Sequence, residues 1–278
     1  MTPKPTLLSL VAEYFASLNE SGALLIKSDK TLSKNLITSS IKFESFFHSS
    51  NVSKFNDDKE NCLAFLVLDI ETIPRPIIDE MVEDAVAKKV QGHIERTGDD
   101  PQNAESLIRS VSPFFGQLLC IGMRWLQEDG SSKDKVVCEQ NEESTLKTFF
   151  NIINHPGSKN ARFIHYNGMG FDIPFLIVRA AHYGIEINNW NFKDLRRFSY
   201  KSHIDLMMFL CNWNNYNAVG MDIACRSFGI PSPKAGEVTG DTVAQAYEEG
   251  NIAAIEEYVM RDVEATYQLF EKLRQYIK

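Results

Sequence analysis

The chain has 278 residues, 44% of them hydrophobic and 24% charged, with a net charge of −8 at neutral pH. That length suits one large domain or a domain with an appendage, and the acidic balance argues against broad coating of a polyanion while leaving room for a local grip around metal ions. Five cysteines without a CxxC pair, no apolar run approaching the roughly 18 residues of a membrane span, and Glu13 interrupting Leu7 to Leu18 lead to the expectation of a soluble, cytoplasmic protein with reduced thiols.

Residues 1 to 60 read as a helical N-terminal extension. Leu7, Leu8, Val11, Tyr14, Phe15 and Leu18 recur at helical spacing. A second helical pattern runs from Leu32 to Phe47, and the polar stretch from Ser49 to Asn61 closes the segment. It carries no catalytic motif and is expected either to cover the neighbouring domain or to bind a protein partner. Residues 61 to 278 form the second expected domain.

Phe65 to Leu68 is a continuous apolar run, the pattern of a strand buried on both faces. Asp69, Ile70 and Glu71 follow, and alternation along a strand places the two carboxylates on one face. Like charges at the end of a buried strand repel unless a cation lies between them, and hard carboxylate oxygens suit Mg²⁺ or Mn²⁺. The same residues also fit a strand running out into a solvated turn before Pro74 and Pro76. Residues 77 to 110 have a charged, helical pattern broken at Thr97 to Pro101, and resemble an insertion.

Strands are expected at Gln117 to Leu126, Lys135 to Glu139 and Arg162 to Tyr166, with a turn at Glu128 to Ser131. Helices are expected at Glu142 to Ile153, Ile173 to Tyr183, Met221 to Phe228, Asp241 to Glu249 and Ile252 to Tyr276. This order suggests an α/β fold in which helices pack on a mixed sheet. His203 reads as a strand residue and Asp205 as the cap of a helix starting at Leu206, so Asp205 stays outside the catalytic set.

Two further acidic sites accompany the first. In His165 to Pro174 a strand ends, Gly168 and Gly170 let the chain turn, and Asp172 opens a helix, as a candidate ligand or as a plain N-cap. In the last helix Tyr258 and Asp262 are one turn apart on the same face, where Tyr258 also reads as the edge of a core stripe. Lys193, Arg196, Arg197 and Lys201, interleaved with Phe192, Phe198 and Tyr200, suit a single nucleic-acid strand or a solvated face.

Taken in order, strand-end Asp69-x-Glu71, Asn167-x-x-x-Phe171-Asp172 and Tyr258-x-x-x-Asp262 resemble the DEDD superfamily of 3′–5′ exonucleases, in its tyrosine subtype. The match is closest to the stand-alone exonuclease domains related to family B DNA polymerases, and it extends over about residues 62 to 278 through Ser202 to Met207, Gly229 to Lys234 and Gly240 to Val243. The resemblance implies a ribonuclease H-like mixed sheet flanked by helices. It implies that Asp69, Glu71, Asp172 and Asp262 hold two Mg²⁺ or Mn²⁺ ions and that Tyr258 orients the attacking water. Thr72, Ile73, Asn167 and Phe171 would shape the pocket for the terminal nucleotide; Arg196 and Arg197, from the basic run, are separate candidate contacts to the substrate strand. The expected partner is a single-stranded 3′ end, of DNA in preference to RNA; a 3′–5′ exoribonuclease and a non-catalytic nucleic-acid-associated scaffold are the alternatives.

Overall fold

The computed structural model describes residues 65–76, 79–127 and 130–277, all within the compact unit Asn61–Lys278. The helices expected over residues 1 to 60 lie outside the described residues. The elements are β1 (Phe65–Pro74), α1 (Glu80–Thr97), α2 (Pro101–Ser110), β2 (Gly116–Leu126), β3 (Ser132–Val137), α3 (Glu142–Asn154) and β4 (Arg162–His165). They continue with α4 (Asp172–His182), α5 (Trp190–Lys193), β5 (His203–Asp205), α6 (Leu206–Leu210), α7 (Met221–Ser227), α8 (Val243–Glu248) and α9 (Ile252–Leu273).

The five strands form one sheet in the order β3-β2-β1-β4-β5. β1 pairs antiparallel with β2 and parallel with β4, β2 pairs antiparallel with β3, and β4 parallel with β5. This is the ribonuclease H-like arrangement, a mixed sheet with helices on both faces. β1 is central, and Leu66, Val67 and Leu68 are buried, as an unbroken apolar run requires.

The two faces of β1 meet different helices. Val67 packs in a cluster with Ile164, Val263 and Leu269, which places α9 over the face that Asp69 and Glu71 share. The α3 residues Phe149 and Phe150 pack edge-on against Phe192 in α5, which in turn meets Phe163 on β4. Glu142 at the start of α3 forms a buried ion pair with Arg179 of α4 and accepts from Leu118 N at 2.8 Å, which locks two helices to the beginning of β2.

Local chemistry explains most boundaries. Asp79, Asp100, Asn141, Asn189 and Asn251 cap their helices by accepting backbone N–H bonds, and α1 ends at Gly98 with φ 73°. β3 lies three residues earlier than expected at its start and two earlier at its end, Ser132–Val137 in place of Lys135–Glu139. Its polar residues are held by cross-strand pairing: half-buried Lys133 faces Trp125 and exposed Asp134 faces Arg124. The last helix is α-helical only to Leu273 and finishes as a 3₁₀ turn, Arg274–Tyr276. The four described cysteines, Cys120, Cys138, Cys211 and Cys225, are free thiols. Among the described residues no helix is long and apolar enough to cross a membrane.

Candidate active site

Asp69 and Glu71 leave the same face of β1, and the register with β2 shifts just after Glu71, between Glu71 and Thr72. Asp69 lies opposite Gly122. A Cβ on Gly122 would stand 3.0 Å from the side chains of both Val259 and Val263, so only glycine lets α9 approach the sheet this closely. That approach carries Tyr258 and Asp262, one turn apart on α9, down to the strand-end acids. One carboxylate oxygen each from Asp69, Glu71 and Asp262 lies within 4.8 Å of the others.

Asp172 is brought to the same charge system from the end of β4. It occupies the first position of α4, and Phe171 rather than Asp172 is the cap residue, without a side-chain cap bond. The plain N-cap reading of Asp172 therefore fails, and its carboxylate accepts from the backbone N–H of Ile70 on β1 as well as from its own. Burial is the first cause of its raised pKa, up to about 7, opposed by nearby His165. Burial and the repulsion of Asp262 and Asp172 push Asp69 and Glu71 well above the usual carboxylate range. Asp262 rises to about 6, mainly by burial, with the Tyr258 hydroxyl, Arg261 and Lys234 holding it down.

Tyr258 is buried, and its hydroxyl donates to the Asp262 carboxylate. Burial and three neighbouring carboxylates drive its pKa far upward, so the phenol stays protonated at neutral pH. Arg261 stacks over the Tyr258 ring at 5.4 Å and donates to Pro233 O and Val238 O, which ties the segment after α7 onto α9. Arg261 was not singled out from the sequence, although it stands next to Asp262.

The turn between β4 and α4 is built with equal care. Asn167 takes the left-handed conformation, φ 65°, and its N–H donates to Asp205 Oδ1 at 3.0 Å while Met169 N donates to Asp205 Oδ2 at 3.0 Å. Asp205 also caps α6 through Met208 N, so its expected role as a cap stands and a second one is added. Gly168 rests on the His165 ring, where a Cβ would come within 2.4 Å. His165 and His203 are linked by a 3.1 Å hydrogen bond between Nε2 and Nδ1, and His203 bonds Phe192 O. Asp205, His165 and Gly168 thus orient the turn that presents Asn167, Phe171 and Asp172. Their partners are remote in sequence, which is why local patterns did not reveal them.

The other expected substrate contacts divide. Asn167 and Phe171 are partly exposed beside Asp172, with Phe171 edge-on to Phe175. Thr72 is buried and its hydroxyl already donates to Ser110 O at 2.8 Å, so α2 braces the end of β1. Ile73 packs with Leu119, Val238 and Tyr258. Arg196 and Arg197, the candidate strand contacts of the basic run, stand apart from the acids. They precede β5, and β4 and β5 run parallel from that end toward Asn167 and Asp205, so the basic run occupies the opposite end of the sheet.

Residues 123–277 match a protein family described as a predicted 3′–5′ exonuclease related to the exonuclease domain of PolB. The chain belongs to this family. The matched range contains Asn167, Asp172, Tyr258 and Asp262, while Asp69 and Glu71 lie before it. The structure of the family B DNA polymerase from the hyperthermophilic archaeon Pyrobaculum calidifontis is similar, with a TM-score of 0.51 and 17% identity over 80% of this chain. The aligned part is 26% of that polymerase, so this chain spans about a quarter of its length, and the likeness is one of fold. No curated protein sequence matches the chain.

Proposed function

We propose that the protein is a two-metal 3′–5′ exonuclease that removes nucleoside 5′-monophosphates from the 3′ end of single-stranded DNA. The observation that carries this reading is the convergence of Asp69, Glu71 and Asp262 within 4.8 Å, which joins two acids that precede the matched residues to one within them. Buried like charges with raised pKa values and only oxygen donors fit Mg²⁺ or Mn²⁺. Asp69, Glu71, Asp172 and Asp262 would hold the ions. Two ions held there would neutralise the carboxylates and would supply charge stabilisation for the entering and departing oxygens of an in-line displacement.

The chain's own groups supply position. Tyr258, protonated and fixed by Asp262, offers its oxygen as a lone-pair acceptor that orients the attacking water, and does not act as a strong base. Phe171 offers a ring face to the terminal base, Asn167 contacts its sugar or phosphate, and Thr72 and Ile73 form the supporting wall. A pocket of this kind selects an end and leaves base identity unread. The DNA preference rests on the family's relation to a DNA polymerase exonuclease domain. Residues 61 to 278 are proposed to hold the whole activity.

Single-stranded DNA, RNA and duplexes labelled at either end, incubated with Mg²⁺, Mn²⁺ or EDTA, test the proposal. Stepwise loss from the 3′ end of single-stranded DNA is expected, blocked by EDTA and by a 3′-phosphate. Cleavage of circular single strands would replace it with an endonuclease, and a preference for RNA would reassign the substrate.

A further inference from the structure

The basic run that the sheet carries away from the acids has a surface of its own. Between Trp190, Lys193, Arg196 and Lys201 lies a depression of about 560 Å³. Trp190 is 78% exposed and Phe198 74% exposed, an unusual degree for such large rings. Phe198 is held outward by a left-handed backbone, φ 62°, a conformation that a bulky residue adopts only under constraint. Its ring leans on Trp213 at 5.1 Å, and Trp213 is in turn anchored by donating from Nε1 to the Tyr200 hydroxyl at 2.9 Å. Lys193 lies over the Trp190 ring at 4.2 Å.

The charges around these rings are largely uncompensated. Arg196 is paired with Asp194, which also accepts from Ser202. Among the described residues no carboxylate lies within ion-pair distance of Lys193, Arg197 or Lys201. In a chain with net charge −8 this is a local reversal of sign. Cations spaced among outward-facing rings match the two requirements of a single nucleic-acid strand, which are phosphate contact and base stacking. An acidic peptide would use the cations and leave the rings without purpose.

We infer that Trp190, Lys193, Arg197, Phe198 and Lys201 form an accessory surface that holds single-stranded DNA away from the catalytic acids. It rests on the nucleic-acid reading above and extends it to the length of the substrate. The segment ends at Ser202, and three residues of β5 at about 3.3 Å each separate that level from Asp205 and the Asn167 turn, a path of about 10 Å. A dinucleotide in the acid pocket is too short to use the surface, whereas a longer strand engages both.

The test compares the full chain with two variants, Trp190→Ala/Phe198→Gly and Lys193→Glu/Lys201→Glu. Glycine suits the left-handed position, so the first variant removes the ring without straining the backbone. Binding of labelled dT20 is measured in EDTA across a salt series, and hydrolysis of dT20 and d(TT) is measured with Mn²⁺. Loss of the rings is expected to weaken dT20 binding about tenfold or more. Charge reversal is expected to flatten the salt dependence by about one unit of slope or more. The KM advantage of dT20 over d(TT) should shrink in both variants. Unchanged dT20 binding in both variants overturns the inference, as does displacement of dT20 by oligoglutamate at equal charge concentration. If the wild-type chain binds dT20 through these residues yet hydrolyses nothing, the exonuclease reading falls and the surface stands.

Discussion

At the level of single residues, the site holds carboxylates where solvent and neighbours both disfavour their charged forms. Burial dominates for Asp69, Glu71, Asp172 and Asp262, and mutual repulsion adds to it at Asp69 and Glu71. Removing one charge relieves the metal-free protein and disables the loaded one. Asp69→Asn and Asp172→Asn are therefore expected to abolish Mn²⁺-dependent hydrolysis while leaving the Tm in EDTA unchanged or higher. Near wild-type turnover in either variant would remove that residue from the ligand set. Tyr258 is a different case, since its ring packs in the core and only its hydroxyl faces the acids. Tyr258→Phe should keep metal-induced stabilisation and lower the single-turnover rate about 10²-fold. An unchanged rate would reduce Tyr258 to packing.

The elements bring these residues together through a few close contacts. α9 reaches Asp69 and Glu71 because Gly122 leaves room for Val259 and Val263. On the opposite face, Glu142 and Arg179 join α3 to α4, and both side chains are about 95% removed from solvent. Glu142 also accepts from Leu118 N and the Tyr183 hydroxyl, so its loss strands a buried guanidinium and two donors. Glu142→Ala is expected to destabilise the protein by about 3–5 kcal/mol, seen as a Tm lower by about 10 °C. Glu142→Leu combined with Arg179→Met should recover part of that loss, because no unpaired charge remains. A Glu142→Ala Tm within about 2 °C of wild type would show that water replaces the lost partner.

For the whole molecule, the acid cluster links stability to pH and metal. A carboxyl whose pKa rises on folding binds its proton more tightly in the native state. Its stabilising contribution is complete below the unfolded value of about 4 and is lost as pH climbs through the folded value. With Asp262 at about 6 and Asp172 at about 7, the metal-free protein should lose stability between about pH 4 and pH 7. Melting curves in EDTA check this, and saturating Mn²⁺ should restore stability most at the alkaline end. A flat profile in EDTA would mean that the cluster already contains a compensating cation. Removal of residues 1 to 55 should leave hydrolysis of a short single strand largely intact, because every proposed ligand lies beyond Asn61. A folded but inactive truncation would place that segment in the site.

Much of the fold was legible because it follows from local periodicity. The apolar run ahead of Asp69, the stripe of α9 and the polar caps each specify an element without reference to anything distant. The order of Asp69-x-Glu71, Asn167 to Asp172 and Tyr258-x-x-x-Asp262 pointed to the exonuclease resemblance, and residues 123–277 match that family. What the sequence could not settle were relations between remote residues. Gly122 beneath Val259, Asp205 beneath the Asn167 turn and Ser110 against Thr72 depend on which strands are neighbours. The basic residues Arg196 and Arg197 show the limit most clearly. Their composition suits a nucleic acid strand wherever they stand, but the parallel direction of β4 and β5 decides their distance from the acids. Side-chain type is a property of the chain, whereas proximity arises only when the sheet closes its register.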